Sequence, residues 1–289
     1  MPHTTPCPFC NEPIRDDMTE CPHCGRPGLF PNVQFCARPE ERAALDARYA
    51  DAFDAARSVG IEAKLVAYEA AAAKSDAISN RTFAEVQRLA FSDDEVFATY
   101  YQRIKGGLHL PGGDDWDALR AMADTAIFGD AGKEHVRFAA LSITGCGLTN
   151  YGECSLVWRE DMIAHRASVF EENTAVFYQR HGIAGSKTAG VPPGYRATWS
   201  ERGKLAAIKA SGTPAALAST GFADLLLAPA SGRSGDDQFV EAHIWGPLTA
   251  RSLQTVRVQA WNPDLPPSDV AVRTIEAKLS LRMARFDHP

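Results

Sequence analysis

Four cysteines near the amino terminus, paired as Cys7-Pro-Phe-Cys10 and Cys21-Pro-His-Cys24, constrain this chain more than any other feature. Two C-x-x-C turns with ten residues between them have the spacing that closes a tetrahedral thiolate site. In such knuckles the residue after the second cysteine turns its backbone left-handed so that amides face the sulfurs. Asn11 and Gly25 hold those places and are the residue types that tolerate it best. A module this short buries too little apolar surface to fold alone, so metal binding must supply most of its folding free energy. A redox pair and a chance match are the competing readings, and both are disfavoured by two matched knuckles. With Cys7, Cys10, Cys21 and Cys24 all ligating, no position stays open for substrate, and the expected ion is a structural Zn²⁺. Residues 1–30 set only Arg15 and Arg26 against Glu12, Asp16, Asp17 and Glu20. This acidic ribbon is expected to dock a protein partner rather than nucleic acid.

The remaining length needs a core of its own. At 289 residues the chain suggests two domains, or one with appendages, and 45% hydrophobic against 23% charged residues is ordinary for a globular protein. Thirty Lys and Arg face 36 Asp and Glu, a net charge of -6, so no global field draws in a polyanion. No run of 18 apolar residues and no basic, then apolar, leader occurs, which predicts no membrane association and a cytoplasmic protein. Cys36, Cys146 and Cys154 are scattered without a disulfide-like framework, as suits a reducing compartment.

The predicted fold class is α+β: a zinc ribbon over 1–30, a helical hairpin over 31–94, and a mixed α+β domain over 95–289 with a C-terminal helix. Pro39-Glu40-Glu41 opens the first helix, Leu45, Tyr49, Ala52, Phe53 and Ala56 form its apolar stripe, and Gly60 closes it. From Ile61 to Lys105 there is neither Pro nor Gly, which predicts one long second helix ending near Ser92-Asp93-Asp94. Beyond residue 95 short alternating segments predict strands at Val96–Ile104, Val136–Ile143, Cys154–Trp158, Ala167–Phe170 and Leu253–Val258. Pro111-Gly112-Gly113 predicts a turn, and Asp114 the cap of a helix carrying Trp116, Leu119 and Ala123. Another helix is expected from about Ser200 to Lys209, and a last one capped by Ser268-Asp269 with Val272, Ile275, Leu279 and Met283 on one face. Gly182 to Gly194 and Ser231 to Asp237 read as long loops of the kind that line sites.

The segment Phe239-Val-Glu-Ala-His-Ile-Trp245 is the most informative outside the ribbon. With a period of two, Val240, Ala242 and Ile244 face one side, and Phe239, Glu241, His243 and Trp245 the other. A carboxylate and an imidazole thus sit between large aromatics, a candidate site that an outward, solvated face would equally produce. Other chemistry lacks its carriers. Gly145-Cys-Gly147-Leu-Thr-Asn150 misses the third glycine of a dinucleotide fingerprint, and Ser186 stands where a phosphate loop needs glycine before Lys187. No H-E-x-x-H or G-x-S-x-G run occurs. Glu62-Ala-Lys64 and Glu276-Ala-Lys278 match a nuclease fragment but fall in predicted helices.

Residues 96 to 262 resemble an uncharacterised group of bacterial ADP-ribosyltransferase-like domains. The resemblance is carried by Tyr100-Tyr-Gln-Arg-Ile-Lys-Gly-Gly107 with Pro111-Gly-Gly and Trp116, by Tyr151-Gly-Glu with Leu156–Trp158 and His165–Phe170, and by Asp237–Pro247. It implies an NAD-dependent transferase of toxin or phage-defence type, with NAD as substrate and Glu241 as the catalytic carboxylate. Arg103, on the first strand, would pair with the pyrophosphate. Tyr101, Gln102, Ser168 and His243 would line the NAD site. The acceptor would be a protein, a nucleic acid or a small molecule. Arg103 sits two positions past Tyr101 rather than directly after an apolar or aromatic residue, and Phe239 replaces a usual polar residue. The alternative is a non-catalytic zinc-ribbon adaptor that binds protein or nucleic acid.

Overall fold

The computed structural model describes all residues except 1–3, 8, 16–17, 28–29, 108–114, 184–189, 229–236, 262 and 265. The expected turn at Pro111-Gly112-Gly113, the cap at Asp114, the side chain of Trp116 and much of the two long loops lie outside the described residues.

The chain opens with strands β1 (Thr4–Pro6) and β2 (Pro13–Arg15), paired antiparallel within the cysteine module. Helices α1 (Pro31–Cys36), α2 (Pro39–Ser58) and α3 (Glu62–Ala72) follow. Pro39 occupies the first turn of α2 beside Glu40 and Glu41, and Leu45, Ala52 and Ala56 are buried on one stripe.

Here the chain departs from the expected long helix. It turns at Ser75, whose hydroxyl donates to the Ala72 carbonyl at 2.6 Å, and enters strand β3 (Asp76–Arg81) before helix α4 (Phe83–Phe91). Apolar periodicity is weak in Asp-Ala-Ile-Ser-Asn-Arg because the polar side chains of β3 are satisfied inside the sheet. Trp158 Nε1 donates to Ser79 Oγ at 3.0 Å and Asn80 Nδ2 to Ser155 Oγ at 3.2 Å. The strand expected over Val96–Ile104 is also absent. Thr99 and Gln102 form a reciprocal capping box that starts helix α5 (Tyr100–Lys105), overriding the β propensity of its aromatic residues.

Helix α6 (Asp115–Gly132) leads to β4 (Val136–Ser142), β5 (Cys154–Trp158), α7 (Glu160–Ile163), β6 (Ala167–Phe170) and α8 (Thr174–Arg180). Next come β7 (Arg196–Thr198), α9 (Arg202–Ser211), α10 (Pro214–Ser219), α11 (Phe222–Leu226) and the short β8 (Leu227–Ala228) and β9 (Gln238–Phe239). Strands β10 (Glu241–Trp245) and β11 (Leu253–Val258), helix α12 (Asp269–Ser280) and strand β12 (Arg285–Asp287) complete the chain. Ser268 caps α12 through the Ala271 amide, and Ile275 and Leu279 are buried, whereas Met283 lies beyond the helix and is exposed.

Eight strands form one mixed sheet in the order β12-β11-β5-β3-β4-β10-β6-β7, antiparallel except for the β11–β12 pair. On one face Ala139, Leu141, Ala242 and Ile244 pack with Leu65 of α3, Leu205 of α9 and their neighbours into the main core. On the other, Val136 and Trp245 join Cys7, Ile14, Cys21 and Phe30, so the cysteine module is seated on the sheet.

The sheet splits at its middle. β3 and β4 pair only from Asp76↔Ser142 to Ile78↔Ala140. Beyond that point Ser79–Arg81 continue with β5 alone, and Val136–Ala139 with β10 alone. The Ser79 hydroxyl spans the opening, donating to the Phe138 carbonyl at 3.0 Å. The connection from β4 to β5 closes over the end of β3 so tightly that a Cβ on Gly147 would lie 1.9 Å from Asn80 Oδ1, and one on Gly152 2.2 Å from the Arg81 carbonyl carbon. Only glycine permits that approach. Among the described residues, no helix is long and apolar enough to cross a membrane.

Candidate functional site

Cys7, Cys10, Cys21 and Cys24 bring one sulfur each to a common point, all within 4.8 Å of one another. The Cys7–Cys24 and Cys10–Cys21 sulfur separations are 3.9 and 3.6 Å. Four thiolates at about 2.3 Å from a zinc ion would stand roughly 3.8 Å apart, so the donor set fits a tetrahedral metal. The two knuckles are built alike. Asn11 and Gly25 have φ of 62° and 68°, and their amides donate to the carbonyls of Cys7 and Cys21 at 2.9 and 2.8 Å. The Phe9 amide points at the Cys7 sulfur, 3.4 Å away.

The second site is the split in the sheet. A cavity of about 570 Å³ occupies it, bounded by the splayed ends of β3 and β4, the start of α5, the first turns of α6 and the loop carrying Leu148 and Tyr151. Phe97, Phe138, Tyr100 and Tyr151 are among its lining residues, and so are four arginines, Arg81, Arg103, Arg120 and Arg137.

Three of these arginines gather around Phe97 with little counter-charge. Arg81 lies over the Phe97 ring at 4.2 Å, and Arg137 Nε donates to the Phe97 carbonyl at 3.1 Å. Arg81 and Arg103 share the single carboxylate of Glu85, at 3.6 and 3.4 Å. Arg137 is only 4% exposed, and its other hydrogen bond also goes to a carbonyl, that of His135. Burial, with Arg166 adding to it, pushes the Arg137 guanidinium down to about 9. Burial and neighbouring Arg103 bring Arg81 to about 10 against the pull of Glu85. Arg81 and Arg137 stay charged at neutral pH, so this end of the cavity is disposed to take an anion such as a phosphate.

At the other end stands Glu241, only 2% exposed. One of its oxygens accepts from Arg120 Nη2 at 3.0 Å. The other accepts from the Thr174 amide at 3.0 Å and lies 3.2 Å from His243 Nε2. Burial alone would raise its pKa, but Arg120, His243 and the Thr174 amide outweigh burial and hold it below the usual carboxylate range. Arg120 also pairs with Asp124 at 3.1 Å, and its guanidinium lies over the Phe138 ring at 4.1 Å. Asp124 behaves oppositely: burial and the neighbouring Glu241 charge raise it despite Arg120. It accepts hydrogen bonds from Tyr101 and Thr174 hydroxyls at 2.8 and 3.2 Å.

Of the residues singled out by sequence, Glu241 and Arg103 face the same cavity. Arg103 does so from helix α5, not from a strand. Tyr101 holds Asp124, and Gln102 spends its side chain capping α5; neither lines this cavity. Ser168 and His243 line a separate, smaller cavity, although His243 still reaches Glu241. Sequence reasoning missed Arg81, Arg120 and Arg137. Asp117, Arg120 and Asp124 recur at helical spacing in α6, a polar face that was legible in principle, but nothing local announces that Glu241 answers it.

Fold and sites together define a mixed α+β protein with an amino-terminal module of four cysteines clustered at metal-binding geometry and a cationic, aromatic-walled cavity in a split sheet. No family model matches the chain, and no curated protein sequence matches it.

Proposed function

We propose that the split-sheet cavity binds NAD and that the protein is an ADP-ribosyltransferase, with zinc held structurally by the four thiolates. The reading is carried by one observation: a buried carboxylate, Glu241, fixed in its ionised form at one end of a cavity whose other end presents Arg81, Arg103 and Arg137. A dinucleotide pairs a pyrophosphate with flat rings, which matches guanidiniums set among Phe97, Tyr100 and Tyr151. Nicotinamide leaves with the electron pair of its glycosidic C–N bond, and the ribosyl carbon becomes oxocarbenium-like. An acceptor nucleophile then bonds to that carbon and gives its proton to water. A carboxylate beside the ribose lowers the barrier by stabilising the positive charge as it develops.

The test is incubation of the purified, metal-loaded chain with NAD labelled separately in its nicotinamide and adenylate halves. Nicotinamide release, with Glu241→Gln slowing it about 10²–10³-fold and leaving NAD binding within a few-fold, supports the reading. Arg137→Ala should weaken NAD binding about tenfold or more. Absence of both binding and release sinks it and leaves the non-catalytic zinc-ribbon adaptor as the better description.

A further inference from the structure

The charge at the cationic end of the split-sheet cavity is set by a residue that does not line it. Glu85 stands in the first turn of α4 and completes a capping box. Its amide donates to Thr82 Oγ at 3.4 Å, and its Oε2 accepts from the Thr82 amide and hydroxyl at 3.4 and 3.2 Å. That clasp holds the carboxylate in place and leaves Oε1 to face cations. Arg81 Nε lies 3.6 Å from Oε1 and Arg103 Nη1 3.4 Å from it. Among the described residues, no other carboxylate pairs with Arg81 or Arg103, and none pairs with Arg137.

Each of these three arginines keeps a terminal nitrogen unused. Arg81 Nη1 donates to the Asn80 carbonyl at 2.7 Å, and Arg137 uses Nε and Nη1 on the carbonyls of Phe97 and His135. Nη2 of Arg81, of Arg103 and of Arg137 donates to no described residue, yet none of the three atoms is sealed from solvent. Arg137 is only 4% exposed and lines the cavity, so its accessible Nη2 opens there.

Three guanidiniums against one carboxylate leave two positive charges at this end. Neighbouring groups cancel among themselves. Arg88, a turn after Glu85, pairs with Glu95 at 3.1 Å, and Arg120 pairs with Glu241 at 3.0 Å. Asp117 lies a turn before Arg120 on α6 and accepts from the Tyr100 hydroxyl. A ligand group with two negative charges would balance the end, whereas one with a single charge would leave a half-buried cation uncompensated.

We infer that Glu85 is a specificity-determining residue, which sets this end to take a doubly charged phosphate group, a phosphomonoester or a pyrophosphate, in preference to a singly charged phosphodiester. The inference rests on the reading above only in taking the cavity's ligand to carry phosphate, and not on the cleavage of nicotinamide. Without the Glu85 charge the excess would rise from two to three, which strengthens the hold on every anion and on doubly charged ones most.

AMP, ADP-ribose and the methyl ester of AMP make the test, because all three contain adenosine. The first two carry about two charges at pH 7.5, as a monoester and as a pyrophosphate, and the ester carries one. Calorimetry on the metal-loaded chain at low ionic strength should show the better of AMP and ADP-ribose binding about tenfold more tightly than the ester. Which of the two is better identifies the source of the double charge. Glu85→Gln keeps the capping box, since glutamine serves there as well. It should tighten the doubly charged ligands about five- to tenfold and the ester about two- to threefold. Adenosine, which has no phosphate, should bind the variant as it binds wild type, whereas a merely structural effect would move it too. Arg103→Gln should weaken the doubly charged ligands about five- to tenfold and leave adenosine unchanged. Equal affinity for AMP, ADP-ribose and the ester, or no binding of any of them, overturns the inference. So does a Glu85→Gln variant that holds the doubly charged ligands no more tightly than wild type. Nicotinamide release is scored separately, so the NAD reading and this inference fail on different results.

Discussion

At the scale of single residues, Arg120 decides what the split-sheet cavity costs the fold. One guanidinium compensates two buried carboxylates, Glu241 at 3.0 Å and Asp124 at 3.1 Å, and the two acids respond in opposite directions. Glu241 has a second set of donors in the Thr174 amide and His243, so its ionised form is favoured in spite of burial. Asp124 lies at zero exposure with hydroxyl donors, and burial dominates. Removing the shared cation would leave two buried acids to repel each other, and at least one would have to take up a proton. Arg120→Ala is therefore expected to lower stability by about 3–5 kcal/mol in urea denaturation at neutral pH. Arg120→Lys, which keeps the charge but not the fork that reaches both acids, should fall between. A loss below about 1 kcal/mol for the alanine variant would mean that water already solvates the pair.

At the scale of elements, the cysteine module is the clearest unit, and its size leads us to expect that it depends on metal. Strands of three residues each and a single bridge from Glu20 to Pro27 cannot hold a hairpin without cross-linking. Chelation should free the β1–β2 amides to exchange and expose the Trp245 face of the sheet, with the β4–β5 region still protected. Hydrogen exchange before and after metal removal checks this, and unchanged protection in a metal-free β1–β2 pair would refute it. The same module was legible in sequence because spacing alone encodes it. Strands β4, β5, β6 and β11, the long helix α2 and the capped α12 were legible through apolar pattern and flanking caps. β3 was not, since its Ser79 and Asn80 are paid back by partners on β5, which no local window contains. Nor was α5, where the Thr99-x-x-Gln102 capping signal was outvoted by aromatic residues that suggest a strand. The cavity inherits both misses: its walls come from the end of β3 and the start of α5, so of the expected catalytic and NAD-lining residues Glu241 and Arg103 alone border it.

At the scale of the whole molecule, the helical layer and the split strands are tied together by Lys209, and that tie should make stability depend on alkaline pH. Lys209 leaves α9 and donates to the Phe239 carbonyl at 2.8 Å, just before β10 begins. Burial, opposed by Glu172 and Glu171 and reinforced by Arg180, brings its ammonium group down to about 8 from an ordinary value of 10.5. Below pH 8 both folded and unfolded chains carry the proton, and the folded state bears the full cost of the buried charge. Between the two values the unfolded chain binds more protons than the folded one, so unfolding free energy rises with pH in that window. Cysteine works in the opposite direction: the Cys36 thiol, held near 12 by burial, ionises more readily once unfolded. Comparing wild type with Lys209→Met at each pH cancels such shared contributions. Relative to the variant, wild type should therefore gain stability between pH 7.5 and 9.5 in urea titrations of the metal-loaded protein. A difference that stays constant across that range would mean that Lys209 keeps its proton and is solvated where the helices meet the strands.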